Sequence, residues 1–263
     1  MHLQSLGVRT EVMFAEELVD RGDYLVARTP SNPTFFWGNI LVFAEPPRLQ
    51  DLTHGGSWMM AFEREFPSCK HRSFIWDRTE GEELERAAFE RLGFMLDETV
   101  LFRVAPPADE ERIPVDVRSI GGEWAAVFEL LDLCFTPGGV RAEGYRNFLR
   151  LLLKRYEMLV AAGRGHWFGV FRGGELVGTC GVFEHEGLAR FQLVAVHPGH
   201  RRQGLGAALV AEVSRFARRE WPAAQILIGA SPGTDAERIY RRLGFEPIER
   251  VVGLILGSDA GPQ

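Results

Sequence analysis

Lysine is nearly missing from this chain: Lys70 and Lys154 are the only two among 30 basic residues. The arginine excess fits a GC-rich genome and carries no functional weight here. Cysteine is also scarce. Cys69, Cys134 and Cys180 lie too far apart for a disulfide framework or a C-x-x-C site, which makes a reducing cytoplasm the simplest compartment. No apolar run approaches the ~18 residues of a membrane span. Met1 to Thr10 lacks the basic-then-apolar order of a secretory signal. The seven histidines show no metal-ligand spacing. No domain is strongly basic, which argues against nucleic acid as a main partner.

What remains is ordinary globular composition: 263 residues, 46% hydrophobic and 25% charged. That length accommodates one large domain or two small ones. Charge divides the chain unevenly. Residues 1–110 carry 11 basic and 19 acidic side chains, a balance of −8, whereas residues 111–263 carry 19 and 17, a balance of +2. An anionic ligand suits the second half, and the acidic first half favours a cationic one. The proline-rich, acidic stretch at 105–111 reads as a linker.

In the second half, apolar spacing predicts helices over 123–135 and 142–162, and further helices are expected over 204–219 and 235–243. Strands are expected at 114–120, 167–171, 176–183, 188–196, 226–228 and 245–256. The first half reads as strands at 24–28, 35–43, 74–76 and 94–104, with helices at 56–66 and 82–92. An ungapped offset of 151 superimposes like on like. Gly22 to Val26 falls on Gly173 to Val177, Pro47 on Pro198, Gly55 on Gly206, and Phe89 to Phe94 on Tyr240 to Phe245. A duplication explains these matches; two unrelated α/β halves is the alternative.

The most informative segment runs from Leu193-Val194-Ala195-Val196 through Arg201-Arg202-Gln203-Gly204-Leu205-Gly206-Ala207. A strand ends, a glycine-bearing turn follows, and a helix begins. Glycine lets backbone approach a ligand without a Cβ in the way. The first helical N–H groups lack internal partners and sit at the positive end of the dipole, so the turn suits a pyrophosphate. A tight turn that needs glycine only for packing is the plainer alternative.

Val196-x-Pro198-x-x-Arg201-x-x-Gly204-x-Gly206 resembles the acetyl-coenzyme A signature of the GNAT superfamily of acyl-CoA N-acyltransferases. Ala236-x-x-Ile239-Tyr240-x-x-x-Gly244-Phe245 resembles that family's later motif. The resemblance covers about 145 residues and implies an α/β (α+β-type) fold, with a mixed central sheet flanked by helices. With the offset, it implies two GNAT-like units: a degenerate partial one over 1–104 and a catalytic one over 112–257, followed by a tail at 258–263.

The resemblance also implies roles. Acetyl-CoA would be the cosubstrate, with no metal. The backbone from Arg201 to Ala207 would hold its pyrophosphate. Leu193 to Val196 would meet the thioester and the pantetheine arm, on a strand splayed from the next by a bulge. The N–H of Val196 or a neighbour would face the developing oxyanion, and Tyr240 would protonate the departing thiolate. Tyr240 also falls on an apolar stripe with Ala236, Ile239 and Leu243, so a core role is its alternative. Gly233 departs from the family's asparagine at that position.

The general base is open. Glu184 is the candidate carried forward, with His185 and Glu186 beside it; a solvated turn is the plainer reading of all three. Gln192 cannot act as a base. At the same offset Gln50, Thr53 and Phe89 replace Arg201, Gly204 and Tyr240, so the first half has lost the chemistry. Its aromatic run Phe35 to Asn39 reads as a buried strand or an acceptor wall. The expected activity is N-acetylation of a primary amine on a small molecule or protein, a cationic one for preference. A coenzyme A-binding sensor without transferase activity is the rival, and other acceptors or longer acyl chains stay open. Oligomeric state is open too, a homodimer being one option.

Overall fold

The computed structural model describes residues 1–78, 86–104, 115–135 and 143–257. The expected linker at 105–111 and the tail at 258–263 lie outside them. So do residues 82–85 of one expected helix. The chain forms two compact units: Met1–Leu101 with the described residues from Glu249 on, and Phe102–Ile248. From Glu249 on, the last strand therefore belongs to the first unit, although its sequence position groups it with the second.

The second unit contains β6 (Asp116–Ser119), α4 (Trp124–Phe135), α5 (Glu143–Ala161), β7 (Gly165–Arg172), β8 (Glu175–His185) and β9 (Leu188–Val196). They are followed by α6 (Leu205–Glu220), β10 (Gln225–Ala230) and α7 (Asp235–Arg242). Its strands run β10-β9-β8-β7-β6. The β9–β10 pair is parallel and the others antiparallel. Both hairpin turns use paired positive φ values, Gly173 (57°) with Gly174 (86°) and Glu186 (49°) with Gly187 (78°), the geometry that matches strand twist in two-residue turns. α6 buries Leu205, Leu209, Val210, Val213 and Ala217. Its spacing of three and four puts them on one face, each larger side chain contributing about 1.5–3 kcal/mol by burial.

The first unit contains α1 (Leu6–Val12), β1 (Glu17–Asp20), β2 (Tyr24–Arg28), β3 (Ile40–Phe43), α2 (Ser57–Glu65), β4 (Arg72–Trp76), α3 (Arg86–Arg91) and β5 (Met95–Arg103). Only the end of β5, from Phe102, belongs to the other unit. β1, β2 and β3 pair antiparallel in turn, and β3 pairs parallel with β4. Against β4 lies β11 (Glu246–Leu256), antiparallel from Gly253↔Ile75 to Leu256↔Arg72. Phe74, Phe62, Phe94, Trp58 and Leu254 pack into one core.

The offset of 151 carries β1, β2, β3, α2, α3 and β5 into the spans of β7, β8, β9, α6, α7 and β11, and β4 onto 223–227, which overlaps the first three residues of β10. One element was misread. Phe35 to Asn39 is a turn, not the start of a strand. The Asn39 side chain closes it, accepting from Thr29 N–H at 3.0 Å and donating to the carbonyls of Asn32 and Phe35 at 2.9 Å.

Candidate active site

Sheet geometry in the second unit creates a gap. β9 and β10 pair at only three positions, Leu188↔Gln225, Ala189↔Ile226 and Arg190↔Leu227. β9 continues to Val196 and β10 to Ala230, so the two strands part towards their carboxyl ends. On its other side β9 carries a bulge. Its register with β8 shifts between Thr179↔Ala195 and Gly181↔Gln192, and Leu193 adopts a φ of 48°. An extra residue of this kind re-aims the backbone that follows it.

His197 N–H donates to Val177 O at 2.9 Å and so faces β8. N–H and C=O groups alternate sides along a strand. The N–H groups of Val196 and Val194 therefore face away from β8, into the gap. The Val196 carbonyl, on the same side, accepts from Arg201 Nε at 3.2 Å and from the Cys134 thiol at 3.4 Å.

Beyond Val196 the chain makes one 3-10 turn, Pro198–His200, with His197 Nδ1 accepting from Gly199 N–H. Arg202 and Gly204 then take positive φ values of 59° and 76°, an alternation that turns successive N–H groups inward. Gly204 caps α6 with no side-chain hydrogen bond. The helix ladder opens with Ala208 N–H to Gly204 O. The N–H groups of Leu205, Gly206 and Ala207 precede it and have no partner within the helix. A Cβ at Gly206 would meet only Val196 Cγ2 at 3.6 Å and Ile239 Cδ1 at 4.0 Å, ordinary contacts. The fold itself leaves room for a side chain there. Arg172 donates to the Gln203 side chain beside the turn.

Tyr240 lies on α7, whose Thr234 cap accepts from Glu237 N–H. Its ring packs edge-on to Phe102 and stacks on Phe245 with the planes 29° apart, and it is 3% exposed. Burial pushes its phenol up; nearby Cys180 adds to this and Arg190 opposes it. The side chain is thus a core aromatic that keeps its proton, and the two sequence readings do not exclude each other.

Glu184 lies elsewhere. Its Oε1 accepts from Gly187 N–H at 2.8 Å, closing the β8–β9 turn. It pairs with Ala189, four residues before Leu193, roughly 13 Å along a strand. His185 and Glu186 are exposed in the same turn. Gln192 is nearer the bulge, its Oε1 accepting from Tyr156 OH at 3.1 Å. Cys134 on α4 was not anticipated as a site residue; a lone cysteine carries no sequence signal of such a contact. Among the described residues, no three His, Cys, Asp or Glu side chains gather as a metal site.

The first unit closes the equivalent features. β3 and β4 pair to their ends, through Phe43↔Trp76, and Asp77 N–H adds a bond to Phe43 O. At the repeat offset Leu188↔Gln225 would become 37 with 74, yet Phe74 pairs with Leu41. The register has moved four residues and no gap is left. The β2–β3 ladder has no bulge. At the start of α2, the Asp51 carboxylate accepts from Arg48 N–H at 2.9 Å and Ser57 OH at 2.8 Å, placing negative charge beside the first residue of that helix. A Cβ at Gly56 would lie 2.4 Å from two backbone carbonyls.

Residues 163–247 match the family described as acetyltransferase (GNAT) domain. No curated protein matches the chain. A functionally unknown conserved protein from Staphylococcus epidermidis is similar in structure, with TM-score 0.71 and 14% identity over 92% of this chain and 94% of that one. A GCN5-related N-acetyltransferase from Kribbella flavida gives TM-score 0.61 and 17% identity over 97% of each. A tandem GNAT protein from the clavulanic acid biosynthesis pathway gives 0.53 and 17%, over 78% of this chain and 69% of that one. At these identities the likeness is one of fold.

Proposed function

We propose that this chain, which carries a GNAT acetyltransferase domain over residues 163–247, transfers an acetyl group from acetyl-CoA to a primary amine. The carrying observation is the gap between β9 and β10, open beyond Arg190 and Leu227, with the uncapped start of α6 just past the end of β9. A ligand with a pyrophosphate and a long amide-bearing arm fits both features at once. The N–H groups from Gln203 to Ala207 bind the pyrophosphate, aided by the helix dipole. The Val196 and Val194 N–H groups hydrogen-bond the arm and the thioester oxygen, and donors aimed at that oxygen stabilise the charge it develops. Tyr240, held protonated by burial, donates to the departing sulfur.

Glu184 is tied into its turn and pairs with Ala189, roughly 13 Å along the strand from the bulge. That observation favours the second reading, a coenzyme A-binding sensor without transferase activity. The first unit, with its closed strands and Asp51 beside the start of α2, is read as a degenerate GNAT-like unit that binds no coenzyme. Its acidity favours a cationic acceptor, a small molecule or a protein amine. The three free cysteines suit a cytoplasmic setting.

Two measurements test this. Calorimetry with coenzyme A should show one binding event, and its absence would remove both readings. An amine panel with acetyl-CoA, followed by free-thiol release, then separates them: acceptor-dependent release supports the transferase, and binding without release across the panel supports the sensor.

A further inference from the structure

We infer that Cys134 is a positioning residue of the coenzyme site: with Arg201 it clamps the Val196 carbonyl and so sets the strand gap in register with the phosphate turn. The inference rests on the coenzyme reading above. In a continuous sheet β10 would supply a donor to Val196 O. Here the strands have parted six residues earlier on β9, after Arg190. Two donors from other elements take its place, Cys134 Sγ from the end of α4 at 3.4 Å and Arg201 Nε from the turn at 3.2 Å. A carbonyl has two lone pairs, and both are used.

The peptide unit they hold matters because of its place. It joins the last residue of β9 to the first of the turn. Its other end is fixed as well, by His197 N–H on Val177 O. The unit is therefore pinned from both sides. Its plane sets the direction in which the chain leaves the strand, and so where the α6 N–H groups lie relative to Val194 and Val196. A ligand that spans both places feels that direction, whereas one that touches only the turn does not. The thiol suits the task. Burial raises it, and Arg201 only partly offsets this, so it stays protonated and donates.

The test compares wild type, Cys134→Ala and Cys134→Ser by calorimetry. The probes are coenzyme A and adenosine 3′-phosphate 5′-diphosphate, which keeps the pyrophosphate and lacks the pantetheine arm. Cys134→Ala should weaken coenzyme A about three- to tenfold, the scale of one lost hydrogen bond, and leave the diphosphate unchanged. Cys134→Ser should restore coenzyme A binding. Unchanged coenzyme A affinity in the alanine variant, equal loss of both ligands, or no restoration by serine would each overturn the clamp. Hydrogen exchange at the His197 amide reads the clamp with no ligand: it should be faster in Cys134→Ala than in wild type and Cys134→Ser, and equal rates overturn it. Wild type that binds no coenzyme A would instead overturn the proposed function, with the exchange result still deciding the clamp.

Discussion

Arg190 and Leu227 are the last residues at which β9 and β10 pair. Three positions of parallel pairing hold the base of a wedge, and everything assigned to coenzyme binding lies beyond it. The bulge at Leu193 turns the next N–H groups into that wedge. In the first unit the corresponding strands pair four residues further along and leave none. A shift of register between two otherwise parallel layouts thus separates a unit with a slot from one without.

Tyr240→Phe keeps the ring between Phe102 and Phe245 and removes only the proton donor. Turnover should fall on the order of 100-fold, the scale of general acid catalysis. Coenzyme A affinity should stay within about twofold, because binding relies on backbone groups. Because the phenol is raised by burial, the wild-type rate should show no loss from Tyr240 ionisation below pH 10. Steady-state kinetics beside calorimetry checks both statements, and an unchanged kcat with an identified acceptor removes Tyr240 from the mechanism.

The two glycines of the turn should respond differently. Gly204 holds φ 76°, so Gly204→Val strains the backbone and should abolish coenzyme binding with a measurable loss in Tm. Gly206 has room for a methyl group. Gly206→Ala should therefore leave Tm within about 1 °C and coenzyme A affinity within about twofold, since neither the helix start nor its free N–H groups are disturbed. Thermal melts with and without coenzyme A distinguish the two.

Much of this site was readable from spacing. Apolar periodicity located α5 and α6, and β9 was placed to the residue. Other parts depend on side-chain hydrogen bonds. α1 is only seven residues long, too short for periodicity to show, and Glu249 holds its start, accepting from Ser5 OH, Leu6 N–H and Gly7 N–H. The strand expected at Phe35 is a turn because the Asn39 side chain satisfies three backbone groups. Glu184 fits the base by residue type, yet Gly187 N–H holds it in the turn. Periodicity registers neither the long-range bonds of Glu249 nor the short-range side-chain bonds of Asn39 and Glu184.

Glu65 gives the first unit an acid-sensitive point. It ends α2, where a negative charge opposes the helix dipole, and its side chain is 4% exposed. Arg21 grips it with two bonds of 2.9 Å, and Tyr24 OH adds one at 3.1 Å. The Arg21 bond leads in lowering its carboxyl below the usual range, while burial opposes. A lowered carboxyl stabilises the fold above its unfolded pKa, and that contribution disappears as pH falls through the folded value. Urea melts should show Glu65→Gln destabilised by about 1–3 kcal/mol at pH 7. The difference should narrow below about pH 4; a constant gap down to pH 3 contradicts the assignment.

The final strand offers the sharpest test of how the chain is divided. β11 pairs with β4 inside the first unit, and Leu254 and Val252 enter the same core as Phe74 and Trp58. A chain cut after Ile248 keeps every residue of the second unit and takes from the first a buried strand and the Glu249 carboxylate. The bare β4 edge would expose unpaired N–H and C=O groups. Hydrogen exchange in the truncated chain should therefore speed up across β2, β3 and β4, while β7, β8 and β9 keep most of their protection. A peptide spanning residues 249–257, added in excess, should restore protection in the first group alone. Loss of protection confined to β7, β8 and β9 would show that the last strand serves the unit it follows in sequence.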